Sequence, residues 1–247
     1  MYKRIIPCLD IKGKNVVKGV KFNNIVSFGS AVEISENYFK KGADEIVILN
    51  IAKEKISCFF KTVKKISKKI FVPLTVGGNI LDINDVKLLF NSGADKVCLN
   101  STLYYNPSLI KEIKSIYGSQ CIVASMDVKK KGREWFVYIN GSRTNTGYNI
   151  FEWIKKNEKN GVGEILLTSI DKDGNKKGYD YNLYKKVSKI TNLPIIASGG
   201  AGSVNDILKL FKKTKINSAL AAGIFHRKDV SLKKAKKIIS KYFRIRE

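Results

Sequence analysis

Two halves of this chain of 247 residues repeat one another, and that repeat limits the possible folds more than any single motif. Gly42-Ala-Asp-Glu-Ile-Val-Ile-Leu-Asn-Ile51 resembles Gly161-Val-Gly-Glu-Ile-Leu-Leu-Thr-Ser-Ile170. Pro73-Leu-Thr-Val-Gly-Gly78 resembles Pro194-Ile-Ile-Ala-Ser-Gly-Gly200, with one residue more in the second copy. Asn84-Asp-Val-Lys-Leu-Leu-Phe90 resembles Asn205-Asp-Ile-Leu-Lys-Leu-Phe211. The offsets run from 119 to 122, about half the chain, so the architecture must be one that two similar halves can build.

Strand-like runs fall near Arg4–Asp10, Glu45–Ile51, Phe71–Val76, Lys96–Asn100, Ile122–Val128, Glu164–Ser169, Pro194–Ser198 and Ser218–Ala222. Helical periodicity lies between them, for example over Val32–Lys41, Ile83–Phe90, Pro107–Ile116 and Ile150–Asn160. Asn106 reads as the N-cap of the Pro107 helix, with proline in its first turn. Eight strands alternating with helices over this length match a (β/α)8 TIM barrel, with a doubly wound open sheet as the runner-up. No linker separates the copies. The expectation is a single domain over 1–247, built from two homologous half-barrels of approximately 1–120 and 121–247.

The most informative stretch is Leu193-Pro-Ile-Ile-Ala-Ser-Gly-Gly-Ala-Gly202. Its β-branched half reads as a buried strand, and Ser198, Gly199 and Gly200 bring bare backbone toward a ligand. Ser203 reads as the N-cap of the helix that follows (Val204, Ile207, Leu208, Leu210, Phe211). Such a turn into a helix start is an anion site, and phosphate is its usual occupant. By the repeat, Gly77-Gly78-Asn79 is its twin, and Asn100-Ser101 and Ala222-Gly223 end the next strand of each half. Two such sites suggest one long substrate with a phosphate at each end.

The repeat also pairs Cys8-Leu-Asp10 with Ser125-Met-Asp127, an aspartate closing the first strand and another closing the fifth. A barrel places its catalytic groups at these strand ends, and two enclosed carboxyls can divide the work of acid and base. Lys18 lies in the glycine-bearing segment Gly13–Phe22, expected to be a long loop that could close and bring a cation to a phosphate. Asp173-Gly174 is either an ordinary turn or part of the mouth. At the opposite strand ends, Arg4, Glu45, Lys96 and Glu164 could form a ring of salt bridges. His226, the only histidine, reads as a packed or hydrogen-bonded residue rather than a catalytic one.

Composition removes other classes. Four cysteines sit singly in apolar runs with no CxxC spacing, so they read as reduced and mostly buried. Without a second histidine or a Cys–His pairing, glutaminase or Ser-His hydrolase chemistry within this chain is disfavoured. No metal-ligand cluster, cofactor motif, signal peptide or apolar run of membrane-spanning length is found, and a cytoplasmic enzyme without cofactor is expected. The formal charge of +25 comes from 40 lysines and six arginines spread over the helices and loops. Aromatic residues do not interleave with them, so no nucleic-acid surface is expected, though the field would draw in small anions.

Several blocks together resemble the cyclase subunit of imidazole glycerol phosphate synthase, from histidine biosynthesis. They are Arg4-Ile-Ile-Pro-Cys-Leu-Asp10, Val16-Val-Lys-Gly19, Thr75-Val-Gly-Gly78, Gly93-Ala-Asp-Lys-Val97, Gly163-Glu-Ile-Leu-Leu-Thr-Ser-Ile-Asp-Lys-Asp-Gly174 and Ile196-Ala-Ser-Gly-Gly-Ala-Gly202. The sister isomerase of that pathway shares the half-barrel repeat and both phosphate sites, and is the alternative. The resemblance implies a bisphosphate substrate and ammonia supplied by a separate glutaminase subunit docked on the barrel floor. It implies acid–base roles for Asp10 and Asp127, a mobile-loop lysine at Lys18, and an ammonia gate at Arg4, Glu45, Lys96 and Glu164. It also implies a partner-facing Asp95 and ligand contacts at Gly78, Ser101, Asp173, Gly200 and Ala222. The chain departs from that pattern at Asn50 (usually Asp), Ala52, Asn79, Cys98 and Gly223.

Overall fold

Short β-branched runs stay buried on both faces only when strands lie parallel under a layer of helices. Ile195–Ser198 and Ser218–Ala221 are buried at every position, as that arrangement requires. The computed structural model describes residues 2–20, 23–52, 56–227 and 229–246. In chain order its first elements are β1 (Arg4–Lys12), β2 (Asn15–Val20), β3 (Asn23–Ser30), α1 (Ala31–Lys40), β4 (Ile46–Asn50), α2 (Ile56–Ser67), β5 (Leu74–Gly77), α3 (Ile83–Asn91) and β6 (Lys96–Leu99). There follow α4 (Ser101–Tyr105), α5 (Ser108–Tyr117), β7 (Ile122–Lys131), β8 (Glu134–Ile139), β9 (Thr144–Asn149), α6 (Ile150–Asn160) and β10 (Glu164–Ser169). The chain closes with α7 (Tyr181–Val187), β11 (Ile195–Ser198), α8 (Val204–Lys213), β12 (Ser218–Ala221), α9 (Gly223–His226) and α10 (Leu232–Ile239).

The hydrogen-bonded strand order is β10-β11-β12-β1-β4-β5-β6-β7, and β10 also pairs with β7, so eight strands close a ring. With helices between the strands this is the (β/α)8 barrel. Packing divides the chain into two compact units, a first of residues 2–98 with 221–247 and a second of residues 99–220.

Local chemistry explains the helices. In α8, Val204, Ile207, Leu208, Leu210 and Phe211 are buried on one stripe while the intervening lysines face water. Each such side chain contributes about 1.5–3 kcal/mol on burial. Ser203 caps α8 as expected, its hydroxyl accepting from the Asp206 amide. Asn149 caps α6, and Gly161, left-handed at φ 108°, ends it. The α5 start differs from the sequence reading: the helix begins at Ser108 with Pro107 as the cap residue. Asn106 instead accepts from the Ser108 hydroxyl at 2.6 Å, which diverts its side chain from the helix amides.

Two further differences concern the segments after β1 and β7. Gly13–Phe22 was expected as a loop, but β2 pairs antiparallel with β1 and β3 with β2. Lys21 and Phe22 of that segment lie outside the described residues. In the second unit β8 and β9 add to β7 in the same way. Alternating Trp135, Val137 and Ile139 are buried, which holds β8 in place. Cys8 and Cys98 are buried as expected, whereas Cys121 is only half-buried; the side chain of Cys58 lies outside the described residues.

Candidate active site

In the first unit, Asp10 and the backbone of β2 meet where the antiparallel hairpin begins, with Asp10 opposite Val17. One residue further on, Lys18 turns back, and its Nζ lies 2.8 Å from Asp10 Oδ2. Both side chains are partly exposed, 23% for the lysine and 15% for the aspartate, so the pair is open to solvent or to a ligand. The loop after β5 carries Gly78 and Asn79 in left-handed backbone, φ 93° and 57°. A Cβ at Gly78 would collide with the Asn50 carbonyl, so only glycine lets this turn pack on the end of β4. Asparagine tolerates the left-handed conformation next best, and Asn79 Nδ2 donates to the Ala52 carbonyl at 2.5 Å. Asn50, 6% exposed, accepts from the Ala52 amide at 3.1 Å, and its buried Nδ2 has no hydrogen-bond partner among the described residues. The amide of Asn50 thus leaves a buried donor at the end of β4.

Ala222 and Gly223 open α9 in this unit. At the end of α9, His226 is buried between Tyr38 Oη at 2.6 Å and the Cys8 carbonyl at 2.9 Å. A carbonyl can only accept, so Nε2 carries the proton and Nδ1 accepts from the tyrosine. Burial lowers the imidazole to about 4, against opposing help from Asp10. His226 is therefore neutral and structural, fastening α9 to β1 two residues before Asp10. It borders a cavity of about 260 Å³ shared with Phe28, Tyr38 and Phe225.

At the other strand ends of this unit, Glu45 is 1% exposed. It holds Arg4 at 2.9 Å, Lys96 at 3.1 Å and the Thr75 hydroxyl at 2.6 Å. Two cations and a hydroxyl offset the cost of burying this side chain. Asp95 is exposed and accepts from the Leu74 amide at 2.8 Å. Next to Glu45, Asp44 is paired with buried Lys236 of α10 at 2.8 Å and accepts from the Ile5 amide; sequence reasoning missed this pair, which has no local signature.

In the second unit, Asp127 sits on β7 opposite Tyr138 of β8. Its Oδ2 accepts from Asn100 Nδ2 at 3.4 Å and from Ser142 Oγ at 3.3 Å. Asn100 also donates to the Ser125 carbonyl, so its amide is oriented by the same strand. Asn100 precedes α4 with φ −121° and ψ −88°, close to the −119° and −72° of Ala222 before α9. The backbone of the two strand-to-helix turns repeats along with the sequence.

Gly199 and Gly200 are left-handed at φ 92° and 102°. Here the missing side chains admit other protein backbone. A Cβ would strike the Ser169 carbonyl at Gly199 and the Gly178 carbonyl at Gly200. The Gly178 amide donates to the Gly200 carbonyl at 2.8 Å, and the Asp173 amide to the Ser169 carbonyl at 3.0 Å, so Asp173 and left-handed Gly174 lie in a loop seated against this turn. Tyr184 Oη fixes the ends of β10 and β11 through Leu167 and Ser198 at 2.8–3.0 Å. The α8 start is not an open anion site. Asp206 Oδ2 accepts from the Gly202 amide and the Ser203 hydroxyl, so the helix supplies its own anion. The twin α3 is closed likewise by Asp82 and Asp85. Glu164 opens β10 and is 5% exposed. Ser142 escaped sequence reasoning, although Asn140-Gly141 between two β-like runs is a hairpin signal.

A ring of eight parallel strands with a half-buried aspartate on β1 and another on β7, each met by an antiparallel hairpin, defines a (β/α)8-barrel protein. The chain belongs to the histidine biosynthesis protein family, whose family model matches residues 4–231. A relative in Clostridium botulinum (strain Okra / Type B1), named imidazole glycerol phosphate synthase subunit HisF, is 49% identical over 95% of this chain and 94% of its own length. Proteins of the same name in Dictyoglomus turgidum and Natranaerobius thermophilus are 48% and 45% identical, each over 96% of this chain and 95% and 96% of their own. Among the described residues no helix is long and apolar enough to cross a membrane, and no group of three or more His, Cys, Asp or Glu could hold a metal.

Proposed function

We propose that this chain is the cyclase subunit of an imidazole glycerol phosphate synthase, acting in the cytoplasm as one domain with a glutaminase partner. The observation that carries the reading is the near-full-length likeness, 45–49% identical, to relatives bearing that name; the name itself implies a partner subunit. Ammonia from the glutaminase attacks the open-chain ketone of the phosphoribulosyl end of the bisphosphate, and the ketone oxygen leaves as water. Ring closure and cleavage then release imidazole glycerol phosphate and aminoimidazole carboxamide ribotide.

Asp10 and Asp127 carry the proton transfers of these steps. Asp10 works beside Lys18, whose ammonium at 2.8 Å can exchange the carboxylate for a substrate phosphate when the hairpin moves. Asp127 works beside the Asn100 amide and the Ser142 hydroxyl, both of which donate to it. Gly78, Asn79, Asn100, Ser101, Ser198, Gly199, Gly200, Ala222 and Gly223, with Asp173 and Gly174, are the substrate- and phosphate-binding residues of this reading. Left-handed backbone at Gly78, Asn79, Gly199 and Gly200 supports this by turning peptide groups out of strand pairing. Arg4, Glu45, Lys96 and Glu164 form the ammonia gate, and exposed Asp95 meets the partner.

Ammonium salt at high pH should replace the glutaminase in a turnover assay with the bisphosphate. Asp10→Asn should lower that turnover by at least about 100-fold, the lower range for loss of a general acid or base. Full turnover in Asp10→Asn would remove the mechanism.

A further inference from the structure

The turn joining β8 to β9 is built in an unusual backbone conformation and ends on the second carboxylate. Asn140, Gly141 and Ser142 are consecutive left-handed residues, φ 55°, 65° and 65°. Two of the three are not glycine, a conformation that costs free energy unless the surroundings hold it. Those surroundings are specific. Ser142 Oγ lies 3.3 Å from Asp127 Oδ2, and a hydroxyl beside a carboxylate oxygen donates to it. The Asn140 amide donates to Ser101 Oγ at 3.0 Å, and Asn140 Nδ2 donates to Tyr105 Oη at 3.0 Å and Thr144 Oγ1 at 3.3 Å. The turn is thus latched to α4 on one side and to the carboxylate of β7 on the other, all within residues 99–220.

We propose that Ser142 is a positioning residue for Asp127, holding the carboxylate rotamer through its hydroxyl, and that the 140–143 turn is the second unit's counterpart of the Lys18 hairpin. The inference rests on the acid–base role given to Asp127 above. Two donors of different origin converge on one oxygen, Asn100 from the strand-to-α4 turn and Ser142 from the hairpin, which fixes Oδ2. The Asn140 amide occupies a lone pair of Ser101 Oγ, so that hydroxyl must direct its own proton elsewhere, toward Asn100 Oδ1 at 3.4 Å or a phosphate oxygen. One turn therefore orients both the proton-handling group and an anion donor of this unit.

The test compares Ser142→Gly with Ser142→Asn. Glycine adopts this backbone without strain and asparagine adopts it next most readily, so neither should unfold the turn. Only asparagine restores a donor. Ser142→Gly is expected to lower kcat about 10-fold with KM for the bisphosphate within twofold, the cost of a loosened reacting group. Ser142→Asn should recover most of the loss. The 13C resonance of the Asp127 side-chain carboxyl should shift in Ser142→Gly and return toward wild type in Ser142→Asn. That signal needs no turnover, so it survives failure of the proposed reaction. An unshifted carboxyl resonance, kcat within twofold of wild type, or a loss confined to KM would each overturn the proposal.

Discussion

The two units solve the same problem with different chemistry. In the first, three carboxylates have cation partners: Asp10 has Lys18, Glu45 has Arg4 and Lys96, and Asp44 has Lys236. In the second, the carboxylates of Asp127, Asp180 and Asp206 take hydrogen bonds from neutral groups. Asn100 and Ser142 serve Asp127; Trp135 Nε1, Ser169 Oγ and the Leu183 amide serve Asp180; the Gly202 amide and Ser203 serve Asp206. The backbone repeat is preserved, down to an antiparallel hairpin beside Asp10 and another beside Asp127, while the polar partners have diverged. Repetition fixes where a carboxylate stands, and its local partners decide what losing one of them costs.

That difference predicts unequal responses to losing one partner. Lys236→Met should be the most damaging, about 3–5 kcal/mol by urea denaturation, because Asp44 is left buried without its counter-charge. Trp135→Phe in the second unit removes a neutral donor from Asp180 and should cost less, about 1–3 kcal/mol. Equal losses would erase the contrast.

Acid should act on the first unit through His226. Its imidazole is lowered to about 4 in the folded chain, against 6.5 for the ordinary side chain. Between these values the unfolded chain binds a proton that the folded chain refuses. The stability is therefore complete above about pH 6.5 and lost as pH falls toward 4, by up to about 3 kcal/mol. Denaturation series at pH 7 and pH 4.5 should show this loss, and His226→Asn, which removes the titrating ring, should flatten it. An unchanged slope in the variant would assign the acid sensitivity to other groups. Asn79→Gly should have the smallest effect, within about 1 kcal/mol, since glycine accepts the same backbone and the hydrogen bond lost to Ala52 is a neutral one.

Much of this was legible in the chain itself. Ile150–Asn160 was read with its boundaries intact, because its apolar period, Asn149 cap and Gly161 stop agree. The strand run at Pro194–Ser198 was read one residue early, since Pro194 lacks the N–H a ladder needs. Asp10 and Asp127 were found through the repeat, and Arg4, Glu45 and Lys96 through the strand period, which depends on backbone geometry alone. What escaped depends on distant partners. Asp44 meeting Lys236, and Tyr184 closing the ends of β10 and β11, join residues with no shared local pattern. The hairpins after β1 and β7 are polar and glycine-bearing, so the segment after β1 read as a loop, and only Asn140-Gly141 marked a turn in the one after β7.

The central claim is that the chain takes one bisphosphate as its substrate. Calorimetric titration of the ligand-free chain with that bisphosphate in moderate salt tests it most directly. The account predicts one molecule bound per chain, far more tightly than ribose 5-phosphate or glycerol 3-phosphate, with affinity lost in Gly78→Ala and in Gly200→Ala alike. Two molecules per chain, or a bisphosphate held no better than either monophosphate, would contradict it.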